Sequence, residues 1–596
     1  MNTKMKLTTY FTLLALALTL SSCEEYLDKA PSSDLPESAV FNDPRLFKEY
    51  VDGIYPYLWY SPEANWTTYS YGGFCSLQMS CLEDATDLSD GARNDAGPRA
   101  TLNIGSWLIG QGAQAEVEWP WSGSYKAIRI CNRILDNVDV VEGLSDTERD
   151  ELKGQALFFR AFFHFQLVKR YGRVPYVNRT FNTADDMDLE RDTYDDCVQM
   201  MCDDYDEAAS LLPVNFATSE FGRPEKGAAM AMKARALLYA ASPLNNPTND
   251  QEKWKQAAQA AYEVIALGRY SLVPKERYQN IFYGVPKTEE TIFCRNGGPG
   301  GYGNSQMSLP GWGSFELGVG ARPWSSEWGS TPCPTQNLMD MYETSDGQKV
   351  INNDENYDGL NPNFNTASGY SDEHMYENRD PRMKLTFLLN GEPWLDATGG
   401  IELYFNENGS PGKHNGEGVN WTRTGYLQKK FWDPALSPST GTTYMNWNFI
   451  RYTDVIMIYA EAMNEAYGPD NDGLGNGLTP RSAVNQIRTR IGHVDVIASN
   501  QEEMRERIRN ERAVEFAYEG QRWYDIIRWN KGLKYFNKPV YGIRTTKLAD
   551  GTFKLERKKI QDRVFKDYMH RYPIPQAELN KSYNLVNNPG WSAESE

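Results

Sequence analysis

The sequence has only five histidines, isolated from one another and from every cysteine, and none of its eight cysteines stands in a CxxC pair. Zinc ligands recur at short fixed spacings, so no zinc site can be read here. GxSxG, HExxH, Walker A and dinucleotide fingerprints are missing from any context that would support their chemistry. Carboxylates are abundant enough to supply a glycosidase pair, so that one enzyme class stays open. A basic excess is also missing: 61 Lys and Arg against 80 Asp and Glu leave a formal charge of −19. Such a surface repels phosphate backbones, which argues against nucleic acid as a partner, and an anionic ligand would need a locally basic site. After residue 20 no apolar run approaches the length of a bilayer span. What is present is a composition of 40% hydrophobic and 13% aromatic residues, enough for large cores.

The apolar run that does exist lies at the start. Lys4 and Lys6 precede Leu7 to Leu20, followed by Leu20-Ser21-Ser22-Cys23. A basic start, an apolar stretch too short for a stable span and small residues before a cysteine resemble a bacterial lipoprotein signal peptide. The pattern predicts residues 1–22 as the leader and Cys23 as the acylated first residue of a body spanning 23–596, held on a membrane by several acyl chains. Glu24 and Glu25 then resemble the export signal of Bacteroidota lipoproteins, which implies the outer face of the outer membrane. Seven cysteines remain, an odd number. Cys75 with Cys81 and Cys294 with Cys333 are candidate pairs in an oxidising compartment, with buried free thiols as the alternative.

Helical spacing dominates two separated blocks, about 118–268 and 452–535. In the first, Ser145-Asp146-Thr147-Glu148 is a capping box, and Leu152, Ala156, Phe159, Phe163 and Leu167 recur behind it while Phe158, Phe162 and Phe165 form a second stripe. A helix apolar on two faces is packed between neighbours. Further helices are expected from Asp192 or Thr193 to about Leu212, from Arg223-Pro224 to Ser242, and from Glu252 to Gly268. The second block predicts Tyr452 to Tyr467, Pro480 to Ile491 behind Thr479, and Gln501 to Tyr518 with Ser499 and Glu502 as its start. Paired helices with small residues at the contacts suggest one tetratricopeptide-like solenoid interrupted by an insertion. The stretches 61–118 and 270–450 are instead rich in Gly, Pro, Asn and Trp, and loops this long are usually functional. A C-terminal segment, 536–596, completes the chain.

Several strings carry a family resemblance: Arg509-Asn510-Glu511-Arg512-Ala513-Val514-Glu515-Phe516, Glu519-Gly520-Gln521-Arg522-Trp523-Tyr524-Asp525, Tyr572-Pro573-Ile574-Pro575, Asn588-Pro589-Gly590-Trp591, Asn378-Arg379-Asp380-Pro381-Arg382 and Ala156-Leu157-Phe158-Phe159-Arg160-Ala161. In this order, with the lipobox, they resemble the SusD/RagB family of outer-membrane nutrient-binding lipoproteins. The resemblance implies a mainly α fold, a tetratricopeptide-repeat-like helical scaffold with a large irregular ligand-binding half. It also implies a SusC-like TonB-dependent transporter as partner, with the lipoprotein as its hinged lid. The signature strings themselves read as architectural: Glu511, Glu515 and Glu519 make one i+4 stripe that Arg512 and Arg522 are spaced to neutralise.

Tryptophans in the loops are the candidates for the ligand. Flat rings stack on the C–H faces of sugars, while Asn, Asp and Arg serve the hydroxyls. Trp119 and Trp121, placed just before a helix, and Tyr302, Trp312, Trp324 and Trp328, in the glycine-rich insertion, are the predicted glycan-binding set. By resemblance to starch-binding relatives, Asp84 and Arg93 stand where a helper acid and arginine are found. An oligosaccharide ligand is therefore expected; a peptide ligand, as in RagB-like relatives, and a surface glycoside hydrolase are the alternatives. Asp354, Asn356 and Asp358 repeat the first half of a calcium loop, but position twelve is Asn365 where a bidentate Glu belongs, leaving calcium a weak candidate and an Asx-rich turn the alternative.

Overall fold

The computed structural model of the protein describes residues 37–58, 82–91, 102–107, 118–182, 185, 187–301, 332–352, 357–394, 397–418, 421–434 and 442–591. Local chemistry starts most of its helices. Asp43 caps α1 (Pro44–Asp52) by accepting from the Arg45 and Leu46 N–H groups at 2.8 and 3.1 Å. Pro120 sits in the first turn of α2 (Trp119–Asn137), where a missing N–H costs nothing. The predicted box opens α3 (Asp146–Tyr171): the Glu148 N–H donates to Ser145 Oγ at 3.3 Å, and the Ser145 N–H donates back to Glu148 at 2.9 Å. Both phenylalanine stripes of α3 are buried.

Thr193 caps α4 (Tyr194–Leu211), as the spacing predicts. The alanine-rich α5 (Lys226–Ala241) begins three residues later than Arg223. Arg223 precedes a proline, which disfavours helical backbone, and its guanidinium is drawn out to Asp52 and Gln155 at 2.8 and 2.9 Å. Asp250 caps α6 (Gln251–Ala266). These helices pack in sequence, α2 on α3, α3 on α4, α4 on α5 and α5 on α6.

The chain then leaves the stack through β1 (Thr291–Gly301) and the short α7 (Gln336–Met341), and returns through β2 (Thr442–Arg451), antiparallel to β1. β2 runs directly into α8 (Tyr452–Tyr467), which packs on α6 and carries α9 (Pro480–Ile491) and α10 (Gln501–Glu515). The two blocks are thus one helical stack, the tetratricopeptide-like arrangement expected from sequence, and the loop-rich segments project from it. After α10 come α11 (Arg522–Arg528) and the hairpin of β3 (Val540–Lys547) and β4 (Phe553–Gln561).

Two start and stop signals differ from expectation. Asn500, one residue after Ser499, caps α10 by accepting from the Glu503 N–H at 2.9 Å. The helix also ends at Glu515, short of Tyr518, whose φ of +67° lies in the left-handed region. Cys294 and Cys333 are buried free thiols, so they do not form the candidate disulfide. Cys75 and Cys81 lie outside the described residues.

A buried charge network surrounds the end of α10. Glu511, Glu515 and Glu519 are all under 8% exposed, and cations from distant segments neutralise them. Arg382 reaches Glu511 and Glu515; Arg451 reaches Glu515 at 3.0 Å and Glu519 at 2.8 Å; Arg490 reaches Glu515 at 2.7 Å; Lys430 reaches Glu519 at 2.8 Å. The expected partners point elsewhere: Arg512 pairs with Asp525 at 2.8 Å and Arg522 with Asp87 at 2.8 Å. Arg382 and Lys430 belong to the loop-rich half, so the network fastens that half to the helices.

Candidate functional site

The segment 82–91 is a buried seam. Ser89 and Asp90 pair antiparallel with Pro334 and Cys333. Ser89 Oγ donates to Asp84 at 2.5 Å and contacts the Cys333 carbonyl at 3.1 Å, while the Thr335 N–H donates to the Leu88 carbonyl at 3.1 Å. Arg563 donates to the carbonyls of Asp84 at 3.0 Å and Ser89 at 2.9 Å, and Arg522 holds the Asp87 carboxylate through two hydrogen bonds of 3.0 and 2.8 Å. Asn103 Nδ2 donates to the Asp84 carbonyl at 2.9 Å, and its own carbonyl accepts from Val564 at 2.9 Å.

The residues flanking three loop segments therefore meet here: Leu82 follows 59–81, Gly91 and Leu102 bracket 92–101, and Pro332 follows 302–331. A fourth segment, 108–117, is bracketed by Trp107 and Glu118. Trp107 connects to Trp121 through rings: Trp107 to Tyr572 at 5.1 Å, Tyr572 to Tyr171 at 6.1 Å, Tyr171 to Trp121 at 5.0 Å. The Asn588-Pro-Gly-Trp string locks this chain. Asn588 Nδ2 donates to the carbonyls of Tyr171 at 2.9 Å and Tyr572 at 2.7 Å, and Trp591 stacks beside Trp107 at 5.7 Å. Gly590 has φ +86°, and a Cβ there would stand 2.5 Å from Tyr568, so no other residue fits.

Two predicted glycan residues belong to this framework instead of a binding surface. Trp121 is 5% exposed and edge-on to Tyr125 and Tyr171, inside α2 and not before it. Asp84 is fully buried against Ser89. Neither offers a face to a sugar; both hold loop roots. Trp119 is the first residue of α2. Arg93, Tyr302, Trp312, Trp324 and Trp328 lie outside the described residues, as do Asp354 and Asn356. Asp358 makes an Asx turn, accepting from the Leu360 N–H at 2.9 Å, from Asn361 Nδ2 at 3.1 Å and from the Tyr541 hydroxyl at 3.3 Å. Among the described residues no group of three or more His, Cys, Asp or Glu is placed to hold a metal ion.

Sequence reasoning missed a narrow cleft beside the seam, lined by Tyr357, Tyr535, Asn510, Lys349, Lys538 and others. Two tyrosines with amide and ammonium donors suit a polar ligand with apolar faces. Those residues are scattered over nearly 200 positions, and no spacing rule could have gathered them.

Glu83 is the electrostatic oddity of the seam. Burial pushes its carboxyl up to about 8, with Asp87 adding to the rise and Arg522 and Lys430 opposing it. A folded value above the ordinary 4.5 means that stability from this position is whole below pH 4.5 and is lost as pH rises towards 8. Glu83→Gln removes that titration. The variant is expected to gain on the wild type by about 1.4 kcal/mol per pH unit across this window, read as the difference in urea midpoints at pH 5 and pH 8; a constant difference would refute the assignment.

Comparison with known proteins agrees with this architecture. A profile described as "SusD family" matches residues 281–591, and one described as "Starch-binding associating with outer membrane" matches residues 25–238. "SusD-like protein P2" of Formosa agariphila is 24% identical over 601 residues, covering 97% of this chain and 99% of its own. A crystal structure of a SusD-like protein from Bacteroides fragilis is similar with a TM-score of 0.72 at 25% identity, covering 94% of this chain and all of the other. A second B. fragilis structure, of a SusD-like carbohydrate-binding protein, has the same fold with a TM-score of 0.68 at 21% identity, covering 92% of this chain and all of the other.

Proposed function

Because this chain belongs to the SusD family, we propose that it is a cell-surface glycan-binding lipoprotein that captures oligosaccharides and delivers them to a SusC-like TonB-dependent transporter as its lid. The observation that carries the reading is the seam: a rigid, buried framework gathers the roots of the segments that bear Arg93, Trp312, Trp324 and Trp328, so side chains far apart in sequence can line one surface. Binding sites are best held by loops on such a scaffold. The description of the matching family as starch-binding and outer-membrane-associated supports both the ligand class and the location. The mechanism is capture and lid motion, without bond chemistry.

Incubating the purified protein with a polysaccharide panel, and following both affinity and released product, tests the reading. Binding without product is the expected result. Product release would favour the glycoside hydrolase, and binding confined to peptides would favour a RagB-like role.

The tether and the partner have their own test. The Leu20-Ser21-Ser22-Cys23 string supports attachment through Cys23. Cys23→Ala is expected to abolish acyl labelling and release the protein from the outer membrane. The lid role requires a broad interface, larger than the usual protein–protein size. A C-terminally tagged wild type should therefore co-purify a TonB-dependent barrel in mild detergent; recovery of the lipoprotein alone would count against the lid.

A further inference from the structure

A second cavity, of about 280 Å³, opens where the chain entering α5 meets the start of β1. Its lining includes Phe221, Arg223, Arg269, Tyr270, Lys287 and Glu289, and it shares no residue with the cleft beside the seam. Two of its charges are paired: Arg277 holds Glu289, and Asp52 holds Arg223 at 2.8 Å. Glu225, whose carboxylate accepts from the Phe216 N–H at 3.2 Å and stands near the Tyr270 hydroxyl, is the one acid of the lining without a cation among the described residues. Arg269 and Lys287 are the cations left over: among the described residues neither has a carboxylate partner. Lys287 stands over the Phe221 ring at 5.2 Å, and Arg269 lies close enough to Tyr270 to act on its hydroxyl.

The Tyr270 hydroxyl is a separate observation. It is buried and has no hydrogen-bond partner among the described residues, although buried polar groups are nearly always satisfied. Its ring lies across the first turn of α5, where a Cβ on Gly227 would come within 2.2 Å of the hydroxyl. A glycine at this position keeps the phenol where it is. Two cations without a carboxylate partner and an unsatisfied donor, set against the single unpaired acid Glu225, leave this cavity with an excess of positive charge for an anion carried on a polar body.

We infer that this cavity is a second binding site, which takes the carboxylate or sulfate ester of an acidic sugar. The inference rests on the carbohydrate-binding reading above and adds to it a substrate class, acidic glycans, and a site apart from the tryptophan-bearing segments. Arg269 and Lys287 supply charge-assisted hydrogen bonds to the anionic group, and Tyr270 supplies a neutral one.

Calorimetry on the mature full-length chain tests it with four probes: trigalacturonate, its fully methyl-esterified counterpart, a sulfated galactan trisaccharide and its desulfated form. At least one anionic probe should bind about tenfold or more tightly than its neutral counterpart, as expected for one or two charge-assisted bonds, and the gain should shrink as salt is raised. A gain with trigalacturonate assigns the site to carboxylates; a gain with the sulfated probe assigns it to sulfate esters. Arg269 and Lys287 are exposed, so Arg269→Ala with Lys287→Ala should preserve the thermal midpoint yet remove the gain. Tyr270→Phe, which keeps the ring, should weaken it several-fold. No gain with either anion, or a gain that survives the double substitution, overturns the inference. Neutral glycans still bound in that event leave the carbohydrate-binding reading standing, whereas a wild type that binds no glycan at all refutes that reading as well.

Discussion

Glu515→Gln is expected to lower the stability of the protein by about 3 kcal/mol or more, the cost of breaking a buried ion pair from one side. Glu515 is fully buried and accepts from Arg382 at 3.0 Å, Arg451 at 3.0 Å and Arg490 at 2.7 Å. Removing its charge leaves three guanidiniums facing one another in a dry interior. Their remaining acids, Asp380, Glu290, Glu511 and Glu519, are already engaged. Replacing acids and bases together by apolar residues is a different experiment, which can be neutral. The single substitution has no such escape.

The same network sets a pH window. Burial by itself would raise the Glu343 carboxyl, but the His493 ring 3.5 Å away and the guanidiniums of Arg488 and Arg507 outweigh it and hold the group at about 2. Glu515 is likewise held far below the usual range: burial opposes, and Arg490, Arg451, Arg382 and Lys430 prevail. Folded values below the ordinary 4.5 mean that this stabilisation is complete above pH 4.5 and is lost as pH falls towards 2. Urea midpoints at pH 7 and pH 3 read both effects. The gap between wild type and Glu515→Gln should be wide at pH 7 and narrow at pH 3; equal midpoints at pH 7 would refute the structural role of the network.

That network also marks the limit of what the sequence shows. Caps are local, so Ser145, Thr193 and Thr479 predict helix starts that the structure contains. The spacing of Glu511 and Glu515 is local too and both lie on α10, whereas Glu519 falls beyond its end. All three are nonetheless buried in ion pairs, as an architectural role requires. Their partners are not local. Arg382, Lys430, Arg451 and Arg490 approach from separate segments, and helical spacing favours Arg512 and Arg522 only because it cannot see beyond one element. The same blindness affects the site. A tryptophan beside a proline in a loop-rich stretch reads as a binding residue, yet Trp121 enters α2 and fills the space between Tyr125 and Tyr171. An acid near an arginine reads as a ligand contact, yet Asp84 is buried against Ser89.

Framework tryptophans and those proposed to stack on the ligand predict opposite phenotypes, and the larger lies in ligand binding. Replacing Trp312, Trp324 and Trp328 together by alanine should weaken glycan binding about a hundredfold or more, since each stacking ring contributes about 1 to 3 kcal/mol. The thermal midpoint should move far less than in a variant of a buried framework ring. Trp121→Ala should do the reverse. Removing a buried ring from a packed aromatic chain costs about 3 to 5 kcal/mol of stability, and whatever protein remains folded should bind glycan with the wild-type affinity, because that ring is only 5% exposed. Calorimetry and thermal melts on the two variants separate the roles. A triple variant that binds as tightly as the wild type would move the ligand away from the 302–331 segment, and the cleft lined by Tyr357 and Tyr535 would then be the next surface to mutate.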